Sequence, residues 1–156
     1  MIRDVLLHPH PLLTRRAEPA TDPGRVVADL LDTMRSFGHC VGIAAPQIGE
    51  SVRVAVVDCT GHRKAPDAHG ELILVNPVIV AAEGSEVGRE GCLSIPELTA
   101  NVRRATAIAV EAEGVRVEAE GFEARVLQHE IDHLDGLLFL DRVESLEADV
   151  FLRKRR

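Results

Sequence analysis

The chain has 156 residues, of which 46% are hydrophobic and 28% are charged, a composition typical of one globular domain over residues 1–156. Its formal net charge of −7 and its lack of Trp and Tyr argue against a DNA-binding protein, which would need a basic surface or aromatic stacking platforms. The odd number of cysteines, three, the absence of a signal-peptide pattern and the absence of a long apolar run argue against a secreted or membrane protein, so we expect a cytoplasmic location.

The first predicted element is an amphipathic helix. Asp22 is expected to cap it, Pro23 to occupy its first helical position and Gly38 to end it. Apolar side chains recur at helical spacing between these bounds, at Val26, Val27, Leu30, Leu31, Met34 and Phe37. We expect this helix to pack one face on the core.

Runs rich in β-branched residues follow the helix. They predict strands at Val52–Val57 and Leu72–Val80, and Pro77 predicts a break or an edge position in the second run. The polar stretch between them, Gly61–Gly70, is expected to form a surface loop.

The last third of the chain predicts a hairpin and a second helix. Ala105–Ala112 and Val115–Ala119 flank the dipeptide Glu113-Gly114, which is typical of a tight turn. From Phe122 to about Leu134 the apolar pattern becomes helical. The sequence therefore predicts an α+β fold, with short antiparallel or mixed strands packed around a central metal-binding helix.

The metal prediction rests on the motif His129-Glu130-Ile131-Asp132-His133. Residues four apart share one face of a helix, so His129 and His133 can direct both imidazoles to one ion. Glu130 then lies beside the ion, where it can take a proton from water. The alternative is an exposed helix that contains two histidines by chance.

A third ligand is needed, and its identity separates the families that share this motif. One group of zinc proteases places a histidine six residues after the motif, but this chain has Phe139 there. Glu144 and Glu147 lie close to the helix and near the chain end, which makes them poor candidates. Cys92 is the better candidate because it follows Gly91, which lets the backbone approach an ion, and a thiolate with two imidazoles forms an open catalytic zinc site.

Three segments resemble the signature motifs of the peptide deformylase family, in the family's order and spacing. They are Val41–Gly49, Glu90–Ser94 and Gln128–His133. The flanking residues are also similar, so the resemblance covers most of the chain. It implies a single catalytic domain that hydrolyses the N-formyl group from the formyl-methionine of newly synthesised polypeptides and releases formate, with nascent formyl-methionyl peptides as partners.

The resemblance implies roles for the metal-site residues. Cys92, His129 and His133 are expected to bind one divalent ion, Fe²⁺ in preference to Zn²⁺, Ni²⁺ or Co²⁺, all of which suit this donor set. Glu130 is expected to accept the proton of the attacking water and pass it to the leaving amine.

The resemblance also implies the groups that surround the substrate. The side-chain amide of Gln47 and the backbone N–H of Leu93 are expected to stabilise charge on the carbonyl oxygen. Glu90 and Arg104 are expected to form an ion pair that supports the metal loop. The expected substrate-binding residues are Gly42, Ile43, Glu90, Gly91, Phe122 and Val126.

One residue departs from the family pattern, and the charge of the last residues allows two interpretations. Cys40 stands where the first motif usually has glycine, and its bulk can narrow the site. The chain ends in four basic residues, Arg153 to Arg156, which are either a solvated terminus or a transient contact with the RNA-rich ribosome. Two other functions stay open at this stage, a metallopeptidase of another class and a non-catalytic metal-binding relative.

Overall fold

A computed structural model describes residues 1–153, and it confirms the predicted α+β class. The helices are α1 (Gly24–Ser36), α2 (Gly121–Leu134) and α3 (Leu146–Asp149). The strands are β1 (Gly42–Ala44), β2 (Val54–Asp58), β3 (Glu71–Val75), β4 (Val78–Glu83), β5 (Glu86–Cys92), β6 (Ile95–Arg104), β7 (Ala107–Ala112), β8 (Val115–Glu120) and β9 (Val150–Leu152). Short 3-10 helices cover Pro11–Thr14, Ala45–Ile48 and Phe139–Arg142.

The strands of the described chain form three small antiparallel sheets. Their strand orders are β1-β2-β3, β4-β7-β8 and β5-β6-β9. β1 and β5 are therefore each an end strand of their own sheet. This arrangement matters for the site, because both strands border it.

Helix α2 occupies the centre of the molecule. Ten of its 14 residues are buried, and it contacts β1, β2, β7 and β8. The apolar side of α2, including Leu127 and Ile131, packs on side chains from the first two sheets. Polar side chains on a helix that is buried on several sides need hydrogen-bond or charge partners. The buried His and Glu side chains of α2 are therefore candidate functional groups.

The predicted helices are both present, with small shifts at the ends of the first. The prediction that Asp22 caps α1 is wrong, because Pro23 is the N-cap and its carbonyl accepts a hydrogen bond from Val27 N at 2.9 Å. The helix ends at Ser36 rather than at Gly38. The second helix begins at Gly121, one residue before the predicted start.

The predicted strands are also present, and the break at Pro77 is confirmed. The Leu72–Val80 run divides there into β3 and β4, which pair in different sheets. Asn76, just before the proline, has a positive φ of 50°, which turns the chain out of the first sheet. The hairpin around Glu113-Gly114 is confirmed as β7–β8.

The hairpin of β5 and β6 was not predicted, although it is the longest in the described chain. Gly88, Gly91 and several charged residues interrupt the β-branched pattern that marks a strand. Its side chains bury a separate small core with Phe139 and Leu13. None of the helices within residues 1–153 is long and apolar enough to cross a membrane.

Candidate metal centre

The three candidate ligands come from two elements that meet in the centre of the molecule. Cys92 is the last residue of β5, and the two-residue turn Leu93-Ser94 leads from it into β6. His129 and His133 lie one turn apart on the same side of α2. Their ligand atoms and Cys92 Sγ all lie within 4.8 Å of one another, and all three residues are buried.

His129 is oriented by Glu90. The Nδ1 atom of His129 lies 2.9 Å from Glu90 Oε1, which leaves Nε2 for the ligand cluster. Arg104 holds the same carboxylate through two hydrogen bonds of 2.9 Å each, and Arg125 adds a third of 2.8 Å. Burial alone would raise the pKa of Glu90, but the hydrogen bonds from Arg104 and His129 outweigh burial and hold the pKa well below its usual range.

The donor set fits a divalent cation. Burial alone would raise the pKa of the Cys92 thiol, but His133 and His129 outweigh burial and hold the pKa well below the usual range, which favours the thiolate. Burial would lower the pKa of His129, but contacts with Cys92 and Glu90 raise it well above the usual range. A thiolate and neighbouring imidazoles can bind a cation in place of the protons that they would otherwise hold. A soft sulfur with two imidazoles suits iron, zinc, cobalt and nickel.

Glu130 lies beside the three donors rather than among them. It is buried, and its Oε1 atom has no hydrogen-bond partner in the part of the chain that the structure describes. Burial raises the pKa of this carboxyl group. A Cβ built on Gly42 would lie 2.9 Å from Glu130 Oε2, so the glycine of β1 leaves the space that the carboxylate uses. A buried acceptor without a partner is expected to meet water or substrate.

Gln47 points its amide nitrogen at the same place. Its Oε1 atom accepts a hydrogen bond from Ala44 N at 3.0 Å, which fixes the orientation of the amide. Its Nε2 atom then lies 3.1 Å from Ser94 Oγ and 3.5 Å from Cys92 Sγ. The 3-10 helix Ala45–Ile48 therefore holds this donor next to Cys92.

A cavity of about 230 Å³ opens onto these groups. Gly42, Glu90, Gly91, Leu93, Phe122 and Val126 line it, together with Gln47, Cys92, His129 and Glu130. Ile43 does not line it, because its side chain is fully buried in the cluster between α1 and the first sheet. Val41, two residues earlier and just before β1, lines the cavity instead.

Comparison with known proteins identifies the family. The family model described as polypeptide deformylase matches residues 2–149. The chain belongs to the polypeptide deformylase family. It is 38% identical to peptide deformylase 2 of Vibrio cholerae over 161 aligned positions, which cover 98% of this chain and 93% of the relative.

Solved deformylase structures have the same fold. The peptide deformylase of Legionella pneumophila superposes with a TM-score of 0.84 at 37% identity, over 94% of this chain and 89% of that one. A class I type b peptide deformylase from Acinetobacter baumannii bound to Met-Ala-Ser superposes with a TM-score of 0.80 at 34% identity. That alignment covers 92% of this chain and 99% of the Acinetobacter protein.

Several residues of this deformylase site were not singled out from the sequence. Asp132, between the two motif histidines, is buried and accepts hydrogen bonds from Arg104 and Arg142. Arg125 holds Glu90 from the side of α2. The only sequence signal for these two residues was their position on the helix that carries His129 and His133. A charged residue on a buried helix needs a charged or hydrogen-bonding partner.

Cys40 lies in the cavity wall, as its position in the first motif predicted. Its Sγ atom lies 3.2 Å from the carbonyl oxygen of Gly42. Burial raises the pKa of this thiol to about 12. Cys40 is therefore a neutral thiol that occupies space next to the deformylase motif.

A larger cleft of about 700 Å³ lies beside the N-terminal end of α2, between the 61–70 loop and strands β4, β7 and β8. It is not near the ligand cluster. Its buried carboxylate, Glu123, is already held by His69. Among the described residues, only Cys92, His129 and His133 have the spacing of a metal site, so size does not decide which cleft is the active one.

Proposed function

We propose that this chain removes the formyl group from the N-terminal formyl-methionine of newly made polypeptides with one divalent metal ion held by Cys92, His129 and His133. The observation that carries this proposal is the convergence of those three buried donors beside the unpartnered carboxylate oxygen of Glu130. Membership of the polypeptide deformylase family supports the reaction and the dependence on metal.

The reaction is hydrolysis of a formamide. Water adds to the formyl carbon, the bond from that carbon to the methionine nitrogen breaks, and formate and a free amine leave. The ion supplies Lewis-acid chemistry, which makes water nucleophilic near neutral pH. Every other step needs groups that the chain itself provides.

Glu130 is proposed to move the proton. Its Oε1 atom has no partner among residues 1–153, and it adjoins the three ligands, so it can accept the proton of the attacking water. The same carboxyl group then donates that proton to the leaving nitrogen. Because Gly42 has no side chain, the backbone of β1 can lie close to the Glu130 carboxylate without a steric clash.

Gln47 and Leu93 are proposed to stabilise the carbonyl oxygen as negative charge develops on it. The Gln47 amide is held by Ala44 N, so its Nε2 donor is already aimed before substrate arrives. Leu93 follows Cys92 in the tight turn and lines the cavity, where its backbone N–H is the proposed second donor. Fixed donors of this kind need no reorganisation during the reaction.

The methionine side chain is proposed to occupy the apolar part of the cavity. Phe122 and Val126 of α2 and Val41 form that wall. The ring of His62 stacks on Phe122 with centroids 4.2 Å apart, which holds the ring in place. Glu90 contacts Arg104, Arg125 and His129 rather than open space, so we propose that it positions His129 instead of binding substrate.

Ferrous iron is the proposed native ion, because a mixed sulfur and imidazole site suits it and the family resemblance favours it over zinc, nickel and cobalt. A location in the cytoplasm and the lack of DNA binding stay predictions. The predicted ribosome contact also stays a prediction, since Lys154, Arg155 and Arg156 lie outside the described residues.

The test is formate release from formyl-Met-Ala-Ser by protein purified without oxygen and loaded with ferrous iron or nickel. Glu130→Gln should lower kcat by at least ~10²-fold while the metal content stays the same. Glu123→Gln changes another buried glutamate of α2, outside the cavity, and should keep the rate. Equal rates in wild type and Glu130→Gln would contradict the assigned base.

Metal content tests the ligand set separately. Cys92→Ala should lose most of the bound metal after dialysis, whereas Cys59→Ala, which removes a buried thiol of the core, should retain it. Full metal retention by Cys92→Ala would exclude Cys92 as a ligand. Elemental analysis of the anaerobic protein identifies the ion.

A further inference from the structure

The outer rim of the cavity carries an arrangement of arginines that the proposed reaction does not use. Arg89, Arg125 and Arg153 all line the cavity. Arg125 is neutralised by Glu90. Within residues 1–153, no carboxylate forms an ion pair with Arg89 or Arg153, although the chain as a whole has a net charge of −7.

Strand pairing places both guanidinium groups on one face of the third sheet. Gly91 of β5 pairs with Thr99 of β6, and Thr99 pairs with Phe151 of β9. Side chains two residues apart along a strand share a face, so Arg89 and Arg153 lie on the same face as this row.

Side-chain contacts agree with this placement. The guanidinium carbon of Arg89 lies 4.0 Å from the centroid of the Phe151 ring, and its nitrogens donate to Asn101 and Thr99. A Cβ built on Gly91 would collide with Arg153 Nη2, so Arg153 covers the backbone next to Cys92. The backbone of Arg153 is fixed by a hydrogen bond of 2.8 Å from its N–H to Glu97 O.

This face adjoins the cavity next to the metal ligands. β5 is an end strand of its sheet and borders the cavity through Glu90, Gly91 and Cys92. Arg89 and Gly91 are two residues apart, about 7 Å along the strand, which is also the span of two residues of an extended peptide. Successive side chains of an extended peptide point to opposite faces, so a peptide with its first residue at the ligand cluster would bring its second or its third side chain to the two guanidinium groups.

We propose that Arg89 and Arg153 select formylated peptides that carry a carboxylate side chain on the second or third residue. This inference rests on the proposed deformylase function. Guanidinium groups bind carboxylates through paired hydrogen bonds, and neither of these two has such a partner among the described residues. Exposed ion pairs are weak, so the selection is a rate preference of about 2- to 5-fold rather than a requirement.

Four amidated peptides test the inference, because the amide removes the terminal carboxylate. They are formyl-Met-Glu-Ala-Ser, formyl-Met-Gln-Ala-Ser, formyl-Met-Ala-Glu-Ser and formyl-Met-Ala-Gln-Ser, used with the full-length, metal-loaded enzyme. The measured quantity is the ratio of kcat/KM for each Glu peptide to that for its Gln partner. In wild type, we expect a ratio of about 2 to 5 at one of the two positions at low ionic strength. It should approach one at about 1 M salt, where the Debye length is about 3 Å.

Variants assign the preference to the two arginines. Arg153→Glu should bring the ratio below one, and Arg89→Gln should reduce it toward one. Arg25→Glu changes an exposed arginine of α1 that does not line the cavity, and it should keep the wild-type ratio.

The outcomes separate this inference from the proposed function. Release of formate from all four peptides, with ratios of one in wild type, would overturn the selection but leave the deformylase function intact. Ratios that survive both Arg153→Glu and Arg89→Gln would also overturn it. No release from any peptide would overturn the function and the inference together.

Discussion

The carboxylate of Glu90 lies 2.9 Å from Nδ1 of His129 through its Oε1 atom. Because Arg104 and Arg125 hold the same carboxylate, the imidazole is fixed in orientation by a charged group that is itself fixed. Glu90→Gln keeps the shape but removes the charge, and a neutral amide polarises the imidazole less. We expect metal affinity to fall by ~10- to 100-fold, as outer partners of metal ligands generally contribute that much.

Competition with a chelator measures this affinity, and circular dichroism checks that the variant is folded. Glu86→Gln is the matched control, since Glu86 is an exposed glutamate on the same strand. Its affinity should equal that of the wild type. An unchanged affinity in Glu90→Gln would mean that the carboxylate supports the fold alone.

Gln47→Leu should remove the side-chain donor proposed for the carbonyl oxygen. Since loss of one such donor typically costs ~10²- to 10³-fold in rate, we expect kcat/KM for formyl-Met-Ala-Ser to fall by that factor with metal content unchanged. Stability should also fall, because Ala44 N loses its acceptor. Gln128→Leu is the control, because Gln128 binds the backbone of Ala105 outside the cavity. It should lose stability but keep the rate per folded molecule.

The sequence predicted α2 well because the helical spacing of its apolar residues and the four-residue spacing of its two histidines both indicate a helix. His129 and His133 must share a face of any helix that contains them, so the pair needed no tertiary information. Cys92 was selected because it follows Gly91, and the motif resemblance then supported it, whereas the hairpin that carries it was not predicted. β5 and β6 are held by pairing with each other and by a small core, and both depend on long-range contacts that local patterns do not encode.

Substrate-facing residues were harder to predict than ligands. Ile43 and Val41 are both apolar and lie two residues apart, yet only Val41 lines the cavity. Which apolar side chain of the first motif faces inward depends on how β1 packs against α1 and α2. The positions of the arginines at the rim were equally hard to predict from sequence. Arg153 reaches Gly91 because β9 pairs with β6, which is a long-range contact.

Gly42→Ala tests how closely β1 approaches the proposed base. The added Cβ would lie 2.9 Å from Glu130 Oε2 and 3.1 Å from Val126 Cγ1, so the carboxylate must move. Since a displacement of about 1 Å can cost ~10²-fold in rate, we expect kcat to fall by about that factor with metal still bound. Gly38→Ala is the matched control, because nothing lies within 4 Å of its Cβ position. Wild-type kcat in Gly42→Ala would show that the carboxylate has room to adjust.

The buried thiols Cys40 and Cys59 predict how stability changes at alkaline pH. Burial raises the pKa of each from 9.0 to about 12. The folded state therefore retains two protons that the unfolded chain releases. Stability from this source is fully present below pH 9 and falls as the pH rises from about 9 to about 12.

Few other groups compete in this window, since the chain has no Tyr and its only lysines are Lys64 and Lys154. Urea unfolding of the metal-loaded protein at pH 8 and at about pH 10.5 measures the change, because the slope of unfolding free energy with pH reports the difference in bound protons. Cys59→Ala should be less stable than wild type at pH 8 but should lose less of its remaining stability on going to the higher pH. Equal losses in the two proteins would mean that Cys59 titrates with the same pKa in both states. Cys40→Ala gives the same comparison at the cavity wall, where an equal loss would mean that the Cys40 thiol is solvated rather than buried.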